Sequence, residues 1–219
     1  MRKIVVATFM SLDGVMQAPG GPQEDPIGGF AFGGWVAPHF DEALGAALGG
    51  IFGRPFDLLL GRKTYEIFAA HWPFVTDPSD PIARTFNNVT KYVASRSHPR
   101  LAWQNSELLG RDIVESLRRL KDANGPDLLV QGSSNLLQTL WTHRLIDELN
   151  VLIFPVVLGN GKRLFGDGAI PAGLELIGAN AYPTGVVVAT YRPDGMVKTG
   201  DFQLAEPSEA ELDRRRNPT

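Results

Sequence analysis

The chain contains no cysteine. Disulfides, a thiolate nucleophile and cysteine-held zinc or iron–sulfur centres are thereby excluded, and a reducing, cytoplasmic setting is the expectation. An excess of charge of either sign is also missing. The 21 Lys and Arg nearly balance 24 Asp and Glu, for a formal net charge of −3 at pH 7, and basic residues form only short clusters such as Arg118-Arg119 and Arg214-Arg215-Arg216. Neither nucleic acid nor an anionic membrane is an expected partner of such a chain. No apolar run approaches the roughly 18 residues of a membrane span, and that in "MRKIVVATFM" is too short for a signal peptide. His39, His71, His98 and His143 fall into no H-x-H or H-E-x-x-H spacing, so no metal site is expected. There is no G-x-S-x-G elbow, and in "LGNGKRLF" Lys162 is followed by Arg163 rather than Ser or Thr. Serine-hydrolase and P-loop chemistry are removed with them.

What is present is ample apolar material: 43% of 219 residues are hydrophobic. That suffices for one full core, expected over residues 1–195, with a largely polar extension over 196–219. "KIVVATFM", "FDLLLG", "KYVAS" and "DLLVQG" are short β-branched or leucine-rich runs that end in turn residues, the pattern of buried strands. "LAWQNS" is expected to be a further strand. Between these runs, "HFDEALGAAL", "RKTYEIFAAHW", "GRDIVESLRRLKDANG" and "SSNLLQTLW" carry helical spacing. "DELNVLIF" ends at Pro155, and "LELIGANAY" and "GVVVATYRP" are joined by Pro183-Thr184-Gly185, an expected antiparallel hairpin. Alternating strands and helices followed by this hairpin predict an α/β fold, a mixed but mostly parallel sheet flanked by helices. Residues 15–38, rich in glycine and proline, are expected to form a mobile lid with Phe30, Phe32 and Trp35 exposed.

Parallel sheets bind ligands beyond the carboxyl ends of their strands, so the corners after the strands matter most. They read Asp13-Gly14, Gly61-Arg62-Lys63-Thr64, Ser95-Arg96-Ser97 and Gly132-Ser133-Ser134. Glycine admits close approach, hydroxyls and free helix amides donate to oxyanions, and arginine forks onto phosphate oxygens. Singly, each corner also fits ordinary helix capping or an exposed first turn. Their repetition at equivalent positions points to a dinucleotide, its pyrophosphate on the helix start near Gly132 and Ser133. Two carboxylates are proton-source candidates, Asp41 first and Asp13 second. Asp41, with Glu42, also fits favourable charge in the first turn of a helix, and Asp13 a turn before Gly14.

"SLDG", "LLLGRKTYE", "VASRS", "LLVQGSSNLLQTLW" and "DELNVLIFPVVLGNGKRLF", in this order over residues 3–192, resemble the dihydrofolate reductase-like superfamily, specifically the group sharing the reductase domain of riboflavin biosynthesis (RibD C-terminal domain-like). The resemblance implies NADPH as hydride donor, often a homodimer, and a small-molecule substrate. The implied activity is that of a 5-amino-6-(5-phosphoribosylamino)uracil reductase acting on a small heterocyclic or ribosyl-pyrimidine substrate. Dihydrofolate reductase activity, or a non-catalytic nucleotide-binding protein on the same fold, is the alternative. On this likeness Gly61, Arg62 and Thr64 match the motif that opens a helix against the cofactor phosphates. Ser95 and Arg96 match the corner beside the 2′-phosphate, Gly132, Ser133 and Ser134 the pyrophosphate turn, and Asp13 with Gly14 the mouth of the substrate loop. The chain departs from the group at Gln131-Gly132, where a glycine pair is expected, and "GRKTYEIFAAHW" is closer to the folate enzyme.

Overall fold

The computed structural model describes residues 1–217. Eight strands form one sheet in the order β4-β3-β2-β5-β1-β6-β8-β7. They are β1 (Ile4–Ser11), β2 (Phe56–Gly61), β3 (Lys91–Ala94), β4 (Ser106–Leu108), β5 (Asp127–Val130), β6 (Glu148–Phe154), β7 (Leu174–Ala181) and β8 (Val187–Pro193). The first six run parallel and the β7–β8 hairpin joins antiparallel to β6. This is the expected α/β architecture, with β1 deep inside the sheet. Pro155 closes β6 because it cannot donate to a ladder, and Gly185, at φ +83°, makes the hairpin turn.

The central strands bury both faces, which is why they read as continuous apolar runs rather than alternating ones. Ile4, Val6 and Leu59 point to one face, where Leu117 of α4 (Ile113–Asp122) and Leu136, Leu137 and Leu140 of α5 (Ser134–Thr142) cover them. Val5, Ala7, Leu58 and Leu60 point to the other, against Tyr65 of α2 (Arg62–Ala69) and Phe86 of α3 (Pro81–Asn88). A third cluster packs Leu44 and Leu48 of α1 (Glu42–Phe52) with Phe154, Trp35 and Phe30.

Two expectations need correction. "LAWQNS" is not a strand: Trp103 is pulled inward, its amide donating to the Tyr65 hydroxyl at 3.1 Å and its indole to Asn87 at 2.7 Å, and β4 starts only at Ser106. Phe30 and Trp35 are not exposed. Trp35 Nε1 donates to the Gln17 carbonyl at 2.8 Å and its ring meets Phe154 edge-on at 5.4 Å, so residues 30–36 are anchored in the core and only Phe32 of the three aromatics faces solvent. The polar extension carries a helix, α6 (Glu209–Arg216), capped by Ser208 and held by Glu211 pairs with Arg214 and Arg215. The helix α3 is an addition, started by Asp80 as cap and Pro81 in the first turn. Among the described residues no helix is long and apolar enough to cross a membrane.

Candidate functional site

Because β3, β2, β5 and β1 are successive neighbours and parallel, their carboxyl ends place all four corners side by side. Two adjacent hollows open there. One is a groove of about 1140 Å³ over β3, β2 and β5, lined by Arg62, Ser95, Arg96, Ser97, Arg111, Asp112 and His143 among others. The second is a narrower chamber of about 260 Å³ over β2, β5 and β1. Its walls include Phe9, Met16, Phe68 and Trp72, with Glu24, Asp25, Gln131 and Lys162 as polar groups. Lys63, Ser133 and Asn135 line both.

The wall between them is made by the first turns of α2 and α5. A helix start leaves its first amides without intrahelical acceptors, and a side-chain oxygen usually satisfies one of them. Asp41, Asp80, Asp112 and Ser208 do so for α1, α3, α4 and α6. The starts of α2, at Gly61, and of α5, at Ser133, receive no side-chain cap. Two helix dipoles thus present open amides to the same cleft, the arrangement that binds phosphate.

The glycines at these two starts face each other. A Cβ on Gly132 would lie 2.7 Å from Thr64 Oγ1, and one on Gly61 would collide with Ser133 Oγ and lie 3.2 Å from its backbone nitrogen. Each glycine makes room for the opposite helix start, and Gly61 N donates to Gly132 O at 3.3 Å. They let the two helix starts approach each other, and the Gly132–Ser133 peptide is cis. Thr64 and Ser134 line the chamber. Ser95 is nearly buried, and its hydroxyl accepts from Ser97 N at 3.1 Å, which shapes the corner after β3. Arg96 there is exposed and makes no ion pair among the described residues, whereas Arg62 is paired with Glu66 at 2.7 Å. Arg111, at the entry to α4, is a further groove cation that the motifs did not mark.

Neither Asp41 nor Asp13 lines the chamber. Asp41 accepts from Leu44 N at 2.8 Å as a helix cap. Asp13 accepts from Ser11 Oγ at 2.6 Å, Gly159 N at 2.8 Å and Leu158 N at 3.0 Å, and pairs with Arg163. The Ser11 hydroxyl first, then the two amides, hold its carboxyl down to about 2 from 3.8. It ties β1 to the loop after β6. The carboxylates that do enter the chamber, Glu24 and Asp25, lie in an aperiodic stretch of glycine and proline where no sequence pattern marks them. They are brought there by a latch: Gln17 donates to the Asp25 and Ile27 carbonyls and accepts from Lys162 N at 3.0 Å, while Lys162 Nζ pairs with Asp25. Burial raises the Glu24 carboxyl above its ordinary value, with Asp25 adding to the rise and the Gly20 and Gly21 amides opposing it.

A family model described as RibD C-terminal domain matches residues 2–188. An uncharacterized protein of Bacillus subtilis strain 168, YyaP, is 30% identical over 140 residues, 63% of this chain and 74% of its own length. Among solved structures, a protein of Shewanella sp. PV-4 assigned provisionally to riboflavin biosynthesis aligns over 89% of this chain and 99% of its own, at 21% identity and a TM-score of 0.61. A dihydrofolate reductase of Enterococcus faecalis complexed with NADP(H) aligns over 88% and 96%, at 13% identity and a TM-score of 0.54. The fold is dihydrofolate reductase-like.

Proposed function

The chain belongs to the RibD C-terminal domain family, and from that premise we propose that it is an NADPH-dependent reductase of a small heterocyclic or ribosyl-pyrimidine substrate. The observation that supports this reading best is the pair of uncapped helix starts meeting at one cleft while the four other helices are capped. Open amides at two adjacent dipole ends suit a pyrophosphate. The groove beside them has Arg62, Lys63, Arg96 and Arg111 against one lining carboxylate, Asp112, which is engaged with Glu115 N.

On this reading the amides at the starts of α2 and α5 hold the diphosphate, and Arg96 takes the 2′-phosphate. The cofactor supplies a hydride when bound. The chain's own contribution is placement: Phe9, Phe68 and Trp72 give the chamber flat apolar walls that exclude water from the ring-binding space. The test is NADPH oxidation, followed by absorbance, with 5-amino-6-(5-phosphoribosylamino)uracil and with dihydrofolate as acceptors. Turnover of either supports a reductase and identifies the acceptor class. A folded protein that fails to bind NADPH overturns the reading.

A further inference from the structure

Resting on the reductase reading above, we infer that Glu24 is the chamber's proton-donating carboxyl, the group that protonates the acceptor as it is reduced. The chamber holds two carboxylates, and their surroundings differ. Asp25 is committed to Lys162, with a side chain only 11% exposed. Glu24 is held by its own backbone turn: Glu24 N donates to Gly21 O at 3.1 Å, and Glu24 Oε2 accepts from Gly20 N at 2.5 Å and Gly21 N at 3.2 Å. Both bonds fall on Oε2, and Oε1 accepts none from the described residues. One oxygen is therefore fixed by the fold while the other is left for a proton and a ligand.

The charged groups around it act in both directions. Asp25 favours the protonated form and His71, beyond α2, favours the ionised form; Lys63 at the start of α2 and Lys162 from the loop after β6 line the same chamber. Desolvation outweighs the two amide bonds, so the carboxyl keeps its proton to higher pH than an ordinary glutamate. This is the state a general acid needs.

For an acceptor carrying a C=N bond, carbon gains the hydride and the π pair passes to nitrogen, which takes the proton from Glu24. The carboxylate left behind recovers its proton from water. NADPH and one proton are consumed, and NADP⁺ and the saturated amine are formed.

The experiment is a carbon-NMR titration of glutamate carboxyl groups in wild type and Glu24→Gln, with and without NADPH. Glutamine keeps an oxygen for the Gly20 and Gly21 amides, so the loop retains its fold. One resonance is expected to titrate above the rest, to shift on NADPH addition and to be absent from the variant. Single-turnover reduction by Glu24→Gln should fall roughly 10²- to 10⁴-fold with NADPH affinity unchanged, and formate should restore part of the rate of Glu24→Ala. A Glu24 resonance in the ordinary range, one indifferent to bound NADPH, or a Glu24→Gln enzyme with an unchanged pH profile overturns the role of Glu24 while leaving the reductase reading intact. Failure of wild type to bind NADPH overturns both.

Discussion

The groove and the chamber share Lys63, Ser133 and Asn135, yet they are built on opposite plans. The groove is wide and edged with arginines from three separate corners, and its amides are left open by the absence of helix caps. The chamber is small and aromatic-walled, and three of its polar groups, Gln17, Asp25 and Lys162, are already bonded to one another as a latch. The first suits a flexible polyanion gripped by charge; the second suits a flat ring placed by shape, with few polar contacts. One ligand that is a phosphate chain at one end and a ring at the other accounts for both halves and for their adjacency.

The two plans can be broken separately. The largest effect is expected from Trp35→Ala, which removes the anchor of the chamber's outer loop. Loss of a buried tryptophan costs about 3–5 kcal/mol, readable as a drop in the denaturant midpoint. In the folded fraction, the groove ligand adenosine 2′,5′-bisphosphate should still bind as in wild type. Weaker binding by the folded variant would mean that the regions are not independent.

Gly61→Val attacks the point where they join. Its side chain meets the backbone of Ser133 as well as the hydroxyl, so rotation of Ser133 cannot relieve the clash. A loss of about 1–3 kcal/mol is expected, with both ligand halves weakened together. Loss of one half alone would show that the two helix starts are not held by this contact.

A smaller, pH-dependent effect is expected at Asp13. Its folded value, about 2, lies below the ordinary 3.8, so its contribution is fully present above about pH 3.8 and disappears as pH falls toward about 2. Asp13→Asn should destabilise the protein near neutrality and flatten the acid limb of its stability profile, as followed by urea melts. An unchanged acid limb would remove Asp13 as the tie between β1 and the 158–163 loop.

The groove was far more legible in the sequence than the chamber, for a physical reason. Groove residues follow strands whose continuous apolar runs announce their own ends, so Gly61-Arg62, Ser95-Arg96 and Ser133 could be located by position alone. The chamber's carboxylates and its outer wall come from residues 16–25, where no period operates and only contacts distant in sequence, such as Gln17 with Lys162, decide which side chain turns inward. Asp41 and Asp13 stood out because they sit beside recognisable turns, but Asp41 is employed as the cap of its own helix and Asp13 as the acceptor for the loop after β6. The error at "LAWQNS" has the same origin: Trp103 is claimed by Tyr65 and Asn87, partners invisible to a local pattern. α3 did carry a signal, Asp80-Pro81 with Ala83 and Phe86 three residues apart.

The central claim is that the groove is a site for the phosphorylated adenosine of NADPH. Fluorescence titration of NADPH and NADH into wild type and Arg96→Ala tests it most directly, because Arg96 stands at the corner after β3 and, unlike Arg62 and Lys63, makes no ion pair among the described residues. A charge-assisted contact of about 1.5–3 kcal/mol corresponds to a factor of roughly ten or more. Wild type should therefore prefer NADPH by at least that factor, and Arg96→Ala should lose it for NADPH while binding NADH nearly unchanged. Equal affinities in wild type, or equal losses for both cofactors in the variant, would contradict the account.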